Sequence, residues 1–313
     1  MIISYGVSIA VVSSVVNALC DPLRKYLTKF MDPFMIVALR GLIQAPLFVL
    51  WAIVDSEGRL PPLNHLFWTS VCISGCINII TSYLYNRAIQ ISTLSATVPF
   101  LSFTPAFLVV VAFLVLGEVP TVSGTLGISI AVMGGIWLQG AKDEHASKEL
   151  LVDTSSASKG SMYMVLVAFL WSISNAFDKI GVQNSTPLIY GAMIQVIVAG
   201  GSYILQKMRF GGADLYLPIG QEVQIPWRYV VLAGVTSVVG YYINLVAMQH
   251  LEISYVIAIK RSGCIWSVVM GRFLFRERNL RKKVPSILLM VFGVLQFYRY
   301  QTVLQNVSAP IPA

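Results

Sequence analysis

Lys260 and Arg261 are adjacent cations inside an apolar run that begins near residue 253. At about 1.5 Å of rise per residue they lie roughly 10–12 Å along a helix starting there. That is deeper than an interfacial side chain. A cation at such depth costs at least a few kcal/mol unless a wet cavity, a carboxylate or an anionic ligand receives it. The chemistry on offer is electrostatic capture of an anion; the structural alternative is an internal salt bridge to Asp178 or Glu252. Asn175, Asp178 and Lys179 fall at i, i+3 and i+4, one polar face near the end of another apolar run. There Asp178 is a candidate proton-coupling group and the face a candidate cavity lining. Ser70, Ser74, Asn78 and Ser82 repeat every four residues, and Tyr241, Asn244 and Asn17 interrupt other apolar runs. Such polar groups line a water path or hold helices together. Arg40 and Lys25 sit nearer run ends, where long side chains snorkel or cap a carbonyl.

Enzyme chemistry has no comparable signal. The sequence contains no Gly-rich phosphate loop, metal-ligand cluster, His-centred nucleophile set or pair of carboxylates at catalytic spacing. No catalytic residue, metal or cofactor is expected, and the chain reads as not an enzyme. Cys20, Cys72, Cys76 and Cys264 all lie in or beside apolar runs, where they read as small packing residues rather than a disulfide or zinc framework.

The elements that must position these residues follow from composition. The chain has 313 residues, 56% hydrophobic and 12% charged. A water-soluble protein carries about 25% charged residues, so half that amount cannot cover a soluble surface. Ten apolar stretches are long enough to span a bilayer: about 3–20, 34–54, 66–85, 94–116, 121–139, 161–180, 188–206, 228–249, 253–275 and 285–303. They are continuous rather than alternating, which selects helices over a barrel. The fold class is therefore an all-α membrane protein with ten transmembrane helices. Pro99 and Pro105 predict a break in the fourth helix, at the level of Lys260 and Arg261. The first stretch lacks a basic flank and a cleavage site and reads as a retained helix. A net charge of +8 reflects basic membrane flanks and not nucleic-acid binding.

The chain also repeats itself. At an offset of 159 residues, Trp68 matches Trp227, Gly75 matches Gly234, Tyr83 matches Tyr242, Gln90 matches Gln249, Glu118 matches Glu277 and Gly134 matches Gly293. An offset of 154 pairs Lys25 with Lys179 and Pro33 with Pro187. Five helices per half place the halves in opposite orientations. The divisions are 1–140 (first five-helix repeat), 141–160 (polar linker), 161–304 (second repeat) and 305–313 (short tail).

Each half closes its fourth helix with Glu, in Leu116-Gly-Glu118 and Phe275-Arg-Glu277, ahead of a Gly-containing fifth helix. With Leu39-Arg40 and Trp171-Ser-Ile-Ser-Asn175…Lys179, this pattern resembles the drug/metabolite transporter superfamily, specifically its EamA-type members. Lys260-Arg261 is similar to the pair at which plastid phosphate translocators bind the substrate phosphate, although the surrounding sequence is closer to the EamA pattern. The resemblance implies a secondary transporter working by alternating access. Residues and resemblance together lead us to expect a small anionic or zwitterionic metabolite as cargo. Lys260, Arg261, Asn175, Lys179, Tyr241, Asn244, Asn78, Ser82 and Asn17 would form its site. The alternatives are an exporter of neutral or cationic compounds and a non-transporting membrane subunit or scaffold. Expected partners are that metabolite and the lipid bilayer, with a homodimer left open and no nucleic acid. The expected location is the plasma or inner membrane, an organelle membrane being the alternative. The basic residues crowd the side opposite both termini, which places the termini outside the cytoplasm; ten-helix members of the resembled superfamily usually keep both ends in the cytosol.

Overall fold

The computed structural model describes residues 2–56, 62–92, 97–119, 122–140, 154–210 and 226–261, together with Gly263 and positions 285–286, 288–289 and 292–293. The elements are α1 (Ile2–Leu27), α2 (Pro33–Asp55), α3 (His65–Ile91), a 3-10 turn (Val98–Phe103), α4 (Thr104–Leu116), α5 (Val122–Gly140), α6 (Thr154–Gln183), α7 (Pro187–Phe210), α8 (Trp227–His250) and α9 (Ile253–Arg261). No strand occurs among the described residues. Among the described residues, six helices are long and apolar enough to cross a membrane, and Phe100–Leu116 and Gly124–Gly134 are shorter apolar helices. The later part of the expected ninth span and most of the tenth lie outside the described residues.

Local chemistry sets the boundaries. Asp32 caps α2 by accepting from the Phe34 N–H at 2.9 Å, with Pro33 at the first helical position. Asn64 caps α3 through the Phe67 N–H at 2.9 Å. The expected break in the fourth span is present: Pro99 and Pro105 withhold N–H groups, and a 3-10 turn precedes α4. Gly117, at φ 68°, takes the left-handed turn that ends α4 and presents Glu118. α1 runs farther than the expected 3–20, passing through Pro22 to Leu27. Pro22 cannot donate to the Ala18 carbonyl one turn earlier.

The most extensive helix contacts are α3 with α6, α2 with α7 and α1 with α8. Each joins one half to the other, and exchanging the halves turns α1·α8 into α6·α3 and leaves α2·α7 in place. The repeat is visible in atomic packing. A Cβ on Gly75 would lie 2.8 Å from Ile197 Cγ2, and one on Gly234 would lie 2.8 Å from Ile43 Cγ2. Phe48, Phe67, Tyr190, Ile194 and Leu245 form the centre of the largest core cluster. Apolar residues also dominate the outside: Leu114 is 73% exposed and Val54 is 76% exposed. Such a surface is stable only against hydrocarbon, and the protein is an integral membrane protein. Cys20 is buried, but Cys72 and Cys76 face outward, because they occupy the side of α3 opposite Ser70 and Ser74. For those two, the packing role read from sequence does not hold.

Candidate functional site

A cavity of about 190 Å³ lies between the halves. The residues expected to line it, Lys260, Arg261, Asn175, Asp178, Tyr241, Asn244, Asn78, Ser82 and Asn17, all contribute to its wall. Lys179 does not. Asp178 and Lys179 are consecutive and point about 100° apart on a helix, so when Asp178 faces the cavity its neighbour turns away. The Lys179 ammonium pairs with Glu118 and donates to the Leu251 carbonyl at 2.9 Å. The other oxygen of Glu118 accepts from the Ile253 N–H at 3.1 Å, capping α9. Glu118 therefore ties α4 to α6 and α9, across the two halves. Lys25 does the equivalent work in the first half, donating to the carbonyls of Ile89 and Ser92; Ser92 and Leu251 are related by the repeat offset. Burial and the nearby Glu118 carboxylate push the Glu252 carboxyl above its usual range, against the pull of Lys179.

One end of the wall is a hydroxyl and amide network around Asp178. Asp178 accepts from Ser74 and from the Tyr190 hydroxyl at 2.8 Å. Ser74 lies 2.8 Å from Ser174, to which Asn78 also donates at 2.8 Å. The stripe along α3 thus divides its work. Ser70 bonds back to the Leu66 carbonyl, Ser74 joins helices, and Asn78 and Ser82 reach the cavity. Asn17 lines the cavity while its amide donates to the Ser13 carbonyl at 2.8 Å. Asn175 donates to the Trp171 carbonyl at 2.5 Å. The Tyr241 hydroxyl and the Asn244 Oδ1 are buried with no hydrogen-bond partner among the described residues.

Another part of the wall comes from residues the sequence reading did not place there. Asp21, Arg24, Arg40, Gln44, Tyr85 and Gln195 all line it. Arg40 was expected to snorkel or cap a carbonyl; instead it donates to Ser237 Oγ of α8 at 2.9 Å. Asp21 accepts from the Tyr85 hydroxyl at 2.7 Å and sits 3.7 Å from Arg24. Arg24 stands over the Tyr85 ring at 5.2 Å, Tyr85 stacks on Trp171 at 5.7 Å, and Arg261 covers Trp171 at 5.0 Å. This stack joins α1 and α3 to α6 and α9. Lys260 faces the cavity and makes no ion pair among the described residues, so the salt-bridge alternative for it is not realised. No group of three or more His, Cys, Asp or Glu that could hold a metal occurs among the described residues.

The model of the EamA-like transporter family matches residues 4–139 and again residues 158–299. A solved structure described only as "Crystal structure of protein" superposes with a TM-score of 0.73 at 15% identity, covering 94% of this chain and 97% of its own. At that identity the likeness speaks for the fold alone. No curated protein matches the sequence. The two matched segments take in most of the chain, and the chain belongs to the EamA-like transporter family of membrane transporters.

Proposed function

We propose that the protein is a secondary transporter moving a small anionic or zwitterionic metabolite by alternating access between two inverted halves. The observation that carries this reading is Lys260. Its ammonium reaches a cavity between the halves, and no ion pair neutralises it among the described residues. A buried cation in that situation is stabilised by water and by an anionic ligand. Amide, hydroxyl and aromatic groups supply orientation, as in other small-molecule sites. Asn175, Tyr241, Asn244, Asn78, Ser82 and Asn17 complete the site in this reading, and Asp178 is its proton-coupling group. Lys179 is better assigned to holding α4, α6 and α9 together.

Alternating access requires contacts between the halves that break on one face while holding on the other. Contacts between the halves include Glu118 with Lys179, and Asn64 with Asn184 at 2.7 Å. The test is flux into liposomes holding the purified protein, across a panel of anionic, neutral and cationic metabolites. Anions are expected to move fastest, and Lys260→Gln with Arg261→Gln is expected to abolish anion flux. Faster flux of cations, or full anion flux in the double variant, would overturn the reading.

A further inference from the structure

One face of α8 carries three polar side chains at helical spacing, Ser237, Tyr241 and Asn244, and all three line the cavity. Ser237 is engaged, its Oγ accepting from Arg40 at 2.9 Å. The other two are not. The Tyr241 hydroxyl and the Asn244 Oδ1 are buried with no hydrogen-bond partner among the described residues, and Asn244 as a whole is 1% exposed. A buried polar atom left unpaired opposes folding, so native structures keep few of them. Polar groups that serve as glue in spanning helices bond across to a neighbouring helix, as Ser74 does with Ser174. Tyr241 and Asn244 make no such bond, and a packing role does not account for them.

The repeat sharpens the contrast. At the offset of 159 residues, Tyr241 corresponds to Ser82 and Asn244 to Tyr85. Tyr85 donates to Asp21 at 2.7 Å, so the first half satisfies this position internally and the second half leaves it open. The open pair is also held in place. Phe48, fully buried in the core, meets the Tyr241 ring edge-on with centroids 6.0 Å apart. A phenol O–H donates, whereas an amide oxygen only accepts. The pair therefore calls for a ligand group that accepts from one and donates to the other. A hydroxyl or a carboxamide does both; a ketone or a carboxylate only accepts.

We propose that Tyr241 and Asn244 determine specificity, reading a hydroxyl or carboxamide that the transported anion carries beside its charged group. This inference rests on the preceding assignment of Lys260 to the charged group. A site built to hydrogen-bond such a group rejects the analogue lacking it, because its own buried groups then stay unpaired.

The experiment uses the full chain in liposomes with lactate, oxamate and pyruvate as probes. These monoanions share one framework: lactate carries a hydroxyl, oxamate a carboxamide and pyruvate a ketone. Lactate or oxamate is expected to enter at least tenfold faster than pyruvate, and which of the two leads tells hydroxyl from amide. Tyr241→Phe and Asn244→Leu should each reduce that preference to less than twofold. Without any probe, Tyr241→Phe should melt no lower than the unmodified protein, since it deletes an unpaired hydroxyl; a hydroxyl with a structural role gives a lower Tm. Equal entry of pyruvate, an undiminished preference in either variant, or a lower Tm for ligand-free Tyr241→Phe overturns the inference. If Asn244→Leu does not fold, melting of the unmodified protein decides in its place: lactate or oxamate raises its Tm more than pyruvate does, and equal shifts overturn the inference. Anion flux that depends on Lys260 but is equal for the three probes defeats this inference alone. Absence of any anion flux defeats the parent reading as well.

Discussion

Glu118→Gln should cost more stability than its place at the end of α4 suggests. The Glu118 side chain is 15% exposed and that of Lys179 is 8% exposed. Removing the carboxylate leaves Lys179 buried with the Leu251 carbonyl, 2.9 Å away, as its remaining hydrogen-bond acceptor among the described residues. Breaking one side of a buried ion pair costs about 3–5 kcal/mol. The amide of Gln can still accept from the Ile253 N–H, which favours the lower end, about 3 kcal/mol. At roughly 2–4 °C per kcal/mol for larger domains, the melting temperature should fall by about 6–12 °C. Lys179→Met should cost less, because the more exposed Glu118 can take water. The double variant should be more stable than Glu118→Gln alone, since it leaves no uncompensated ammonium. Thermal unfolding of the purified protein in detergent, followed by tryptophan fluorescence, measures all three. A shift below about 1 °C for Glu118→Gln, or strictly additive losses in the double variant, would refute the clamp.

Gly75→Ala and Gly234→Ala should destabilise by similar amounts, about 1–3 kcal/mol each, because each new Cβ would meet an Ile Cγ2 at 2.8 Å. Ile197→Ala should add less than its own cost to Gly75→Ala, and full additivity in melting experiments would contradict the contact. Asp178→Asn should remove the response of flux to an imposed pH difference; a variant still driven by that difference assigns coupling elsewhere. Glu252 has a raised pKa in the folded protein, through burial and the Glu118 carboxylate. Its ionised form therefore opposes folding above the raised pKa, and the penalty disappears below the unfolded value of about 4.5. Glu252→Gln should raise the melting temperature at pH 8 and lose that advantage as pH falls toward 4.5. A pH-independent difference would show that Glu252 is not under strain.

Much of this architecture was legible in the chain. Unbroken apolar runs select helices because lipid offers no partner to an open backbone. The matched Gly75 and Gly234 are matched for a packing reason: each lets an Ile of the facing helix approach closely. Pro99 and Pro105 marked the break before α4, since a missing N–H acts locally whatever the tertiary context. The site was legible where a polar residue stood deep in an apolar run, as Asn17, Asn244 and Lys260 do. It was not legible where charge lay near an expected helix end. A first helix spanning 3–20 leaves Arg24 outside it, yet α1 continues through Pro22 and carries Arg24 to the cavity wall. Arg40 looked like a snorkelling side chain, and only the approach of α8 brings Ser237 to it. Lys179 was grouped with Asp178 by spacing along the chain. Helical rotation between consecutive residues separates them, and the Glu118 that claims Lys179 is too distant in sequence to signal the pairing.

The most direct test of the account is anion uptake by Lys260→Glu in liposomes, alongside the unmodified protein and Lys260→Arg. Reversing the charge at the cavity should lower anion flux at least tenfold, while Lys260→Arg keeps most of it. Anion uptake at the unmodified rate by a folded Lys260→Glu protein would show that positive charge in this cavity does not select the cargo.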